Sequence, residues 1–254
     1  MLHHFPEKLD LDLFDVVITH YSLSLGPLMN HYLGKSLVHK LERFKGLKVA
    51  FLQDEYRAVS VYWKHFNQIG LDVLFSCVPT HEIPKVYPKA QVPNLNVINV
   101  LTGYVSKSLA QAHVSPISER KIDVGYRTRD MPYWLGRLAY EKSFISNEFN
   151  RLSDGTGLLT DLSTREVDRL YGADWINFVS SCKALLGVES GASIIDFDGK
   201  IERKVDAYVA KYPDASFEAV HSQILEEHEG SIDLAQISPR CFEAAALRTP
   251  MVLF

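Results

Sequence analysis

FDVVITHY, residues 14–21, decides the fold class, because Val16, Val17 and Ile18 follow one another with no polar residue between them. An unalternating β-branched run of this length reads as a strand buried on both faces, the kind found in parallel sheets. Working outward from it, Leu33, Leu37, Leu41 and Phe44 recur at helical spacing, and Gly46 stands where a glycine closes a helix. LKVAFL at 47–52 is a second strand, and Val59, Tyr62, Trp63, Phe66 and Ile69 form a second helical stripe ended by Gly70. LDVLFSCV at 71–78 and NVINVL at 96–101 are a third and fourth strand. Short apolar runs alternating with helical stripes are the pattern of a parallel sheet with crossover helices.

The rhythm restarts after residues 111–121, where Pro116 and several small polar residues mark a linker. KIDVGY at 121–126, GLLTDL at 157–162 and KALLGV at 183–188 are strands, with a helix expected over 137–149. Ser163 and Glu166 match the S-x-x-E capping box, so a helix is expected to open there, carrying Val167, Leu170 and Tyr171 and then Trp175, Phe178, Val179 and Cys182. Two polar helices at 200–230 read as an insertion. Ser238 and Pro239 then open a helix holding Phe242, Ala245 and Ala246, and MVLF at 251–254 is the next strand. No loop or helix follows that strand. The expected architecture is α/β with two Rossmann-like domains, residues 1–115 and 116–254, the second incomplete and carrying a helical insertion at about 199–231.

Composition narrows the function classes. The 254 residues are 46% hydrophobic and 23% charged, an ordinary globular balance, and the formal net charge of −4 is spread without the basic stripe that nucleic acid needs. Cys77, Cys182 and Cys241 form neither a CxxC pair nor a zinc spacing and read as reduced thiols. MLHHFPEKLDLD lacks the apolar core of a signal peptide, and no apolar run has the ~18 residues of a membrane span. A cytoplasmic protein with no transmembrane segment and no nucleic-acid partner is expected.

In open α/β sheets ligands bind beyond the carboxyl ends of the strands, which turns the strand order into candidate residues. In the first half these are His20 and Tyr21, then Asp54, Glu55 and Arg57, then His81 and Glu82, then Gly103 and Tyr104. His20 is a candidate base, because the ordinary range of an imidazole lies near neutral pH, and Asp54 and Glu55 are further candidate bases; a structural histidine and solvated strand-end acids are the alternative. In the second half, Arg127 and Arg129, one residue apart at a strand end, suit a diphosphate. The same pair also reads as a surface ion-pair cluster with Asp130 and Glu119. Asp161 ends the next strand. Glu189, Ser190 and Gly191 offer free amides for a phosphate or sugar, or form a plain turn. Asp196 and Asp198 form a D-x-D that reads as turn punctuation before the inserted helices. G-x-G-x-x-G, Walker, HExxH and G-x-S-x-G motifs do not occur.

SPRCFEAAALRTPMV at 238–252 resembles the E-A-x-A-x-G-x-P-V helix–strand of glycosyltransferases with the GT-B fold, closest to the group-1-like bacterial enzymes of surface-polysaccharide synthesis. Arg248 stands where the family has glycine, and far more than the family's seven residues separate Glu189 from Glu243. The resemblance implies a metal-independent enzyme that moves a sugar from a nucleotide-sugar donor to a glycan or lipid-linked acceptor, with no other cofactor. It implies that the first domain holds the acceptor and the second the donor. Glu243 takes the position of the ribose-binding glutamate, Glu189, Ser190 and Gly191 that of the small loop, and Arg127 and Arg129 that of the diphosphate-facing basic residues; Arg240 lies in the same helix as Glu243. A non-catalytic scaffold or fragment of this fold, and a nucleotide-sugar epimerase of the related fold, are the alternatives.

Overall fold

Every apolar run read above contributes a strand. The structure, a computed structural model, describes residues 9–27 and 29–254; the sequence through Lys8, part of the stretch read for a signal peptide, lies outside the described residues. Val16–Thr19, Leu47–Phe51, Val73–Ser76 and Asn96–Asn99 are β1 to β4, and Met29–Arg43, Val59–Ile69 and Ile83–Val86 are α1 to α3. Lys107–Ala110 is α4. Ile122–Arg127, Thr160–Ser163, Cys182–Gly187 and Met251–Leu253 are β5 to β8. Arg137–Ser153 is α5, Gly172–Ser181 α6, Lys200–Lys211 α7, Phe217–Val220 α8 and Pro239–Ala246 α9. Among the described residues these strands form two four-stranded sheets, β1-β2-β3-β4 and β6-β5-β7-β8, with every neighbouring pair parallel.

The chain divides into two compact units: Met1–Val100 with Ile194–Pro213 and Gly230–Leu234, and Leu101–Ser193 with Asp214–Glu229 and Ala235–Phe254. The segment read as an insertion in the second domain is therefore shared. α7 packs with the first unit, where Asp196 accepts from Gly199 N at 2.8 Å and Glu202 N at 2.9 Å, so this aspartate punctuates the turn into the helix. α8 packs with the second. Residues 111–121, read as a linker, fall inside the second unit, because Arg120 is a core residue there.

In the first unit, each connection from β1 to β4 advances the same way across the sheet. Right-handed crossovers then place every helix on one face. Leu37 and Leu41 of α1 and Val59, Phe66 and Ile69 of α2 meet Val17, Ala50, Leu74 and Val97 there. The opposite face stays apolar and open. Val16 is 41% exposed and Ile18 64%, and Phe51 stacks on Phe75 at 4.6 Å. The expectation that β1 is buried on both faces is thus corrected. An unalternating apolar run is equally the signature of a strand with one covered face and one uncovered apolar face.

In the second unit the sheet reverses between β5 and β7. α5 covers one face, where Ile145 and Phe149 pack with Tyr126, Leu162 and Leu186. α6 and α9 cover the other, through Phe178, Val179, Ala244 and Leu247 against Cys182 and Leu185. Arg120, 5% exposed, holds this side together without a carboxylate: Nη1 donates to Cys182 O at 2.9 Å and Thr249 Oγ1 at 2.7 Å, and Nη2 to Leu247 O at 3.1 Å.

Two local expectations also change. Gly46 follows α1 by three residues and does not cap it; a Cβ there would lie 2.4 Å from Asp15 O, so close approach selects the glycine. The capping box at Ser163 does not form. Ser163 Oγ donates to Asp168 Oδ2 at 2.7 Å, residues Glu166–Asp168 make one 3-10 turn, and α6 begins only at Gly172.

Candidate functional site

The first unit's candidate bases lie at adjacent strand ends and are not joined to one another. His20, exposed after β1, shares a 2.9 Å hydrogen bond between Nδ1 and Ser22 Oγ. Asp54, exposed after β2, has left-handed backbone (φ 61°), and this turns the next side chain inward. Glu55 is 3% exposed. Its Oε1 accepts from Ser76 Oγ at 2.7 Å and Tyr87 Oη at 2.5 Å, and its Oε2 from Cys77 N at 3.3 Å. Burial pushes the carboxyl up to about 7, against the pull of the Tyr87 and Ser76 hydroxyls. Glu55 is thereby withdrawn from solvent and serves as a polar core group. Arg57 pairs with Glu202 at 2.6 Å, and His81 lies 3.7 Å from Asp233.

The second unit has the reversal that opens a crevice at the carboxyl end of a parallel sheet, between β5 and β7. Arg240 and Glu243, one helical turn apart on α9, converge beside the end of β5. Arg240 Nη2 donates to Arg127 O at 2.6 Å, and its guanidinium lies 5.0 Å from the Tyr126 ring centroid and 5.5 Å from that of Trp175. Trp175 Nε1 in turn donates to Glu243 Oε2 at 2.6 Å. Glu243 Oε1 accepts no hydrogen bond among the described residues. The cluster therefore presents a cation held over aromatic faces next to a half-buried carboxylate with a free oxygen, a set that can take a phosphate and a vicinal diol side by side.

The remaining second-unit candidates are placed differently. Arg127 turns away from this cluster: Nη1 donates to Asp161 O at 2.8 Å and Nη2 to Asp161 Oδ1 at 2.7 Å, with the guanidinium 4.4 Å above Phe178. Arg129 is exposed and its guanidinium has no partner among the described residues. Asp130 accepts from Ser143 Oγ at 2.7 Å, so the proposed cluster of Arg129 with Asp130 is not formed. In the loop after β7, Ser190 N is already donated to Gln236 O at 2.9 Å, Gly191 has φ 115°, and Glu189 is exposed beside Glu141. Burial, and then Glu189, raise the Glu141 pKa. The N-terminus of α5, the helix that follows β5, is filled from within: Arg137 N donates to Glu229 Oε2 at 3.1 Å and Leu138 N to Ser193 Oγ at 3.2 Å.

Sequence reasoning named Trp175 only as part of an apolar stripe and passed over Arg120. Helical spacing exposes the indole's packing face and says nothing of where its N–H points. Arg248 has the left-handed backbone (φ 53°) that glycine adopts most easily. Among the described residues, no group of three His, Cys, Asp or Glu side chains is placed to hold a metal ion, and no helix is long and apolar enough to cross a membrane. Comparison with protein-family models, curated proteins and solved structures found no match to this chain.

Proposed function

We propose that the chain is the nucleotide-sugar-handling part of a glycosyltransferase of the GT-B type, with the second unit binding the donor and the first the acceptor. One observation carries this reading: Arg240 and Glu243 gather around Trp175 at the carboxyl end of β5, next to the only reversal of strand order among the described residues. The left-handed Arg248 supports it, since the same backbone turn serves the resembling motif. In the transfer, the bond from the sugar's anomeric carbon to the phosphate oxygen breaks, and its electron pair leaves with the nucleoside diphosphate. The acceptor oxygen bonds the anomeric carbon and gives up its proton to water. Arg240, with Arg129 two residues beyond the Arg127 carbonyl that it holds, would balance the charge on the leaving diphosphate. Glu243 Oε1 would accept from a ribose hydroxyl.

The test is a thermal-shift screen of nucleoside diphosphates and their sugars on wild type and Glu243→Ala. A ligand present at about 100 times its Kd adds about 2.7 kcal/mol to stability, a shift of several degrees. Wild type is expected to show that shift with at least one nucleotide, and Glu243→Ala to lose it. Absence of any shift in wild type, or an equal shift in the variant, overturns the reading.

A further inference from the structure

A cavity lined by the Arg127 side chain, and by neither Arg240 nor Glu243, lies in the second unit. It is an open cleft of about 670 Å³ that follows the carboxyl end of the edge strand β6, between α5 and the turn at 163–170. That volume falls in the range of small-molecule sites. Its chemistry is polar and balanced. Both lining cations are already matched by lining carboxylates: Arg127 with Asp161 at 2.7 Å, and Arg165 with Asp168 at 2.8 Å. An anion entering here meets two carboxylates that already hold the guanidinium groups, so phosphate gains little attraction.

Uncharged hydrogen-bonding groups are left over. Asn147 and Asn150, three residues apart on α5 and exposed, line the cleft, and neither side-chain amide has a partner among the described residues. Each offers both a donor pair and an acceptor. Among the described residues, the hydroxyl of Ser146, wholly enclosed at the cleft's border, and the buried Arg127 Nε have no partner. Val167, 82% exposed, adds an apolar step on the rim. Amides, hydroxyls and a small apolar surface without net charge match a ring that carries hydroxyls on its edges and C–H groups on its faces.

We propose that this cleft binds an uncharged saccharide. The assignment goes beyond the donor site and does not rest on it, because the two use different side chains and opposite charge logic. The experiment is ligand-observed NMR with saturation transfer, followed by calorimetric titration, using the methyl glycosides of glucose, mannose, galactose and N-acetylglucosamine, with inorganic phosphate as the charged comparison. Wild type is expected to transfer saturation to at least one glycoside at millimolar concentration and to leave phosphate unbound. Asn147→Ala/Asn150→Ala, two exposed helix positions where alanine favours the fold, is expected to weaken that binding about tenfold or more with an unchanged circular dichroism spectrum. Glu243→Ala is expected to bind the glycoside as wild type does, which separates this outcome from the fate of the donor reading. No transfer to any of the four glycosides, undiminished binding in the double variant, or phosphate binding in preference to sugar each overturns the proposal.

Discussion

The two sheets have the same number of strands and the same parallel sense, and they differ in one crossover. In the first, the order β1-β2-β3-β4 never turns back; in the second, the chain recrosses β5 to reach β7. That single reversal decides two things. It divides the helices between both faces, so the second sheet is covered on each side, and it parts the loops after β5 and β7. The first sheet has neither property. Its strand-end residues His20, Asp54 and Glu55 stay apart, exposed or turned inward, while in the second the end of β5 meets α9, where Arg240 holds the carbonyl of Arg127. Possessing strand ends is thus not enough to make a site; the winding has to separate them.

The contrast can be broken most forcefully in the second unit's core. Arg120→Ala leaves Cys182 O, Leu247 O and Thr249 Oγ1 without their donor and is expected to cost the second unit about 3–5 kcal/mol. Urea unfolding followed by Trp134 and Trp175 fluorescence in a Trp63→Phe background reads that unit, and a loss below about 1 kcal/mol would show the guanidinium to be dispensable. Leu186→Ala, on the α5-covered face and 1% exposed, is expected to cost about 2–5 kcal/mol by the same measurement.

Glu55 sharpens the comparison from the other side, as an acid that one unit has made part of its interior. Its folded-state pKa is raised from 4.5 to about 7, so its contribution is full below pH 4.5 and is lost as pH rises through 7. The wild type is expected to lose on the order of 3 kcal/mol across that window, and Glu55→Gln to flatten the slope. Unfolding free energies of both proteins at several pH values decide it; parallel slopes would mean that the carboxyl is solvated. The smallest effect belongs to the open face. Ile18→Thr, at a side chain 64% exposed, is expected to change stability by no more than about 0.5 kcal/mol, and a loss of several times that would reveal a covered face.

All eight strands were legible because β-branched and leucine-rich runs announce themselves within a few residues. Strand order was not legible, since nothing in FDVVITHY or KIDVGY records which neighbour each strand will choose. That is why β1 reads as doubly buried when only its Val17 and Thr19 side faces the core. Side-chain competition accounts for the other differences. Ser163 meets the capping-box pattern, yet Asp168 takes its hydroxyl and delays α6 to Gly172. Arg127 has the strand-end position expected of a phosphate ligand, but Asp161 on the neighbouring strand holds it elsewhere. Glu243 and Arg240 were legible because they share a helix whose start Ser238 and Pro239 mark; their meeting with Trp175 depends on tertiary packing.

Arg120 also sets a timetable. Three of its acceptors, Cys182 O, Leu247 O and Thr249 Oγ1, lie 62, 127 and 129 residues downstream. A nascent chain that has emerged only as far as β7 carries this cation with most of its partners still unsynthesised, and enclosing it then would be costly. Closure of the second unit around Arg120 must therefore wait until Thr249 has left the ribosome, more than a hundred codons after the arginine itself was laid down.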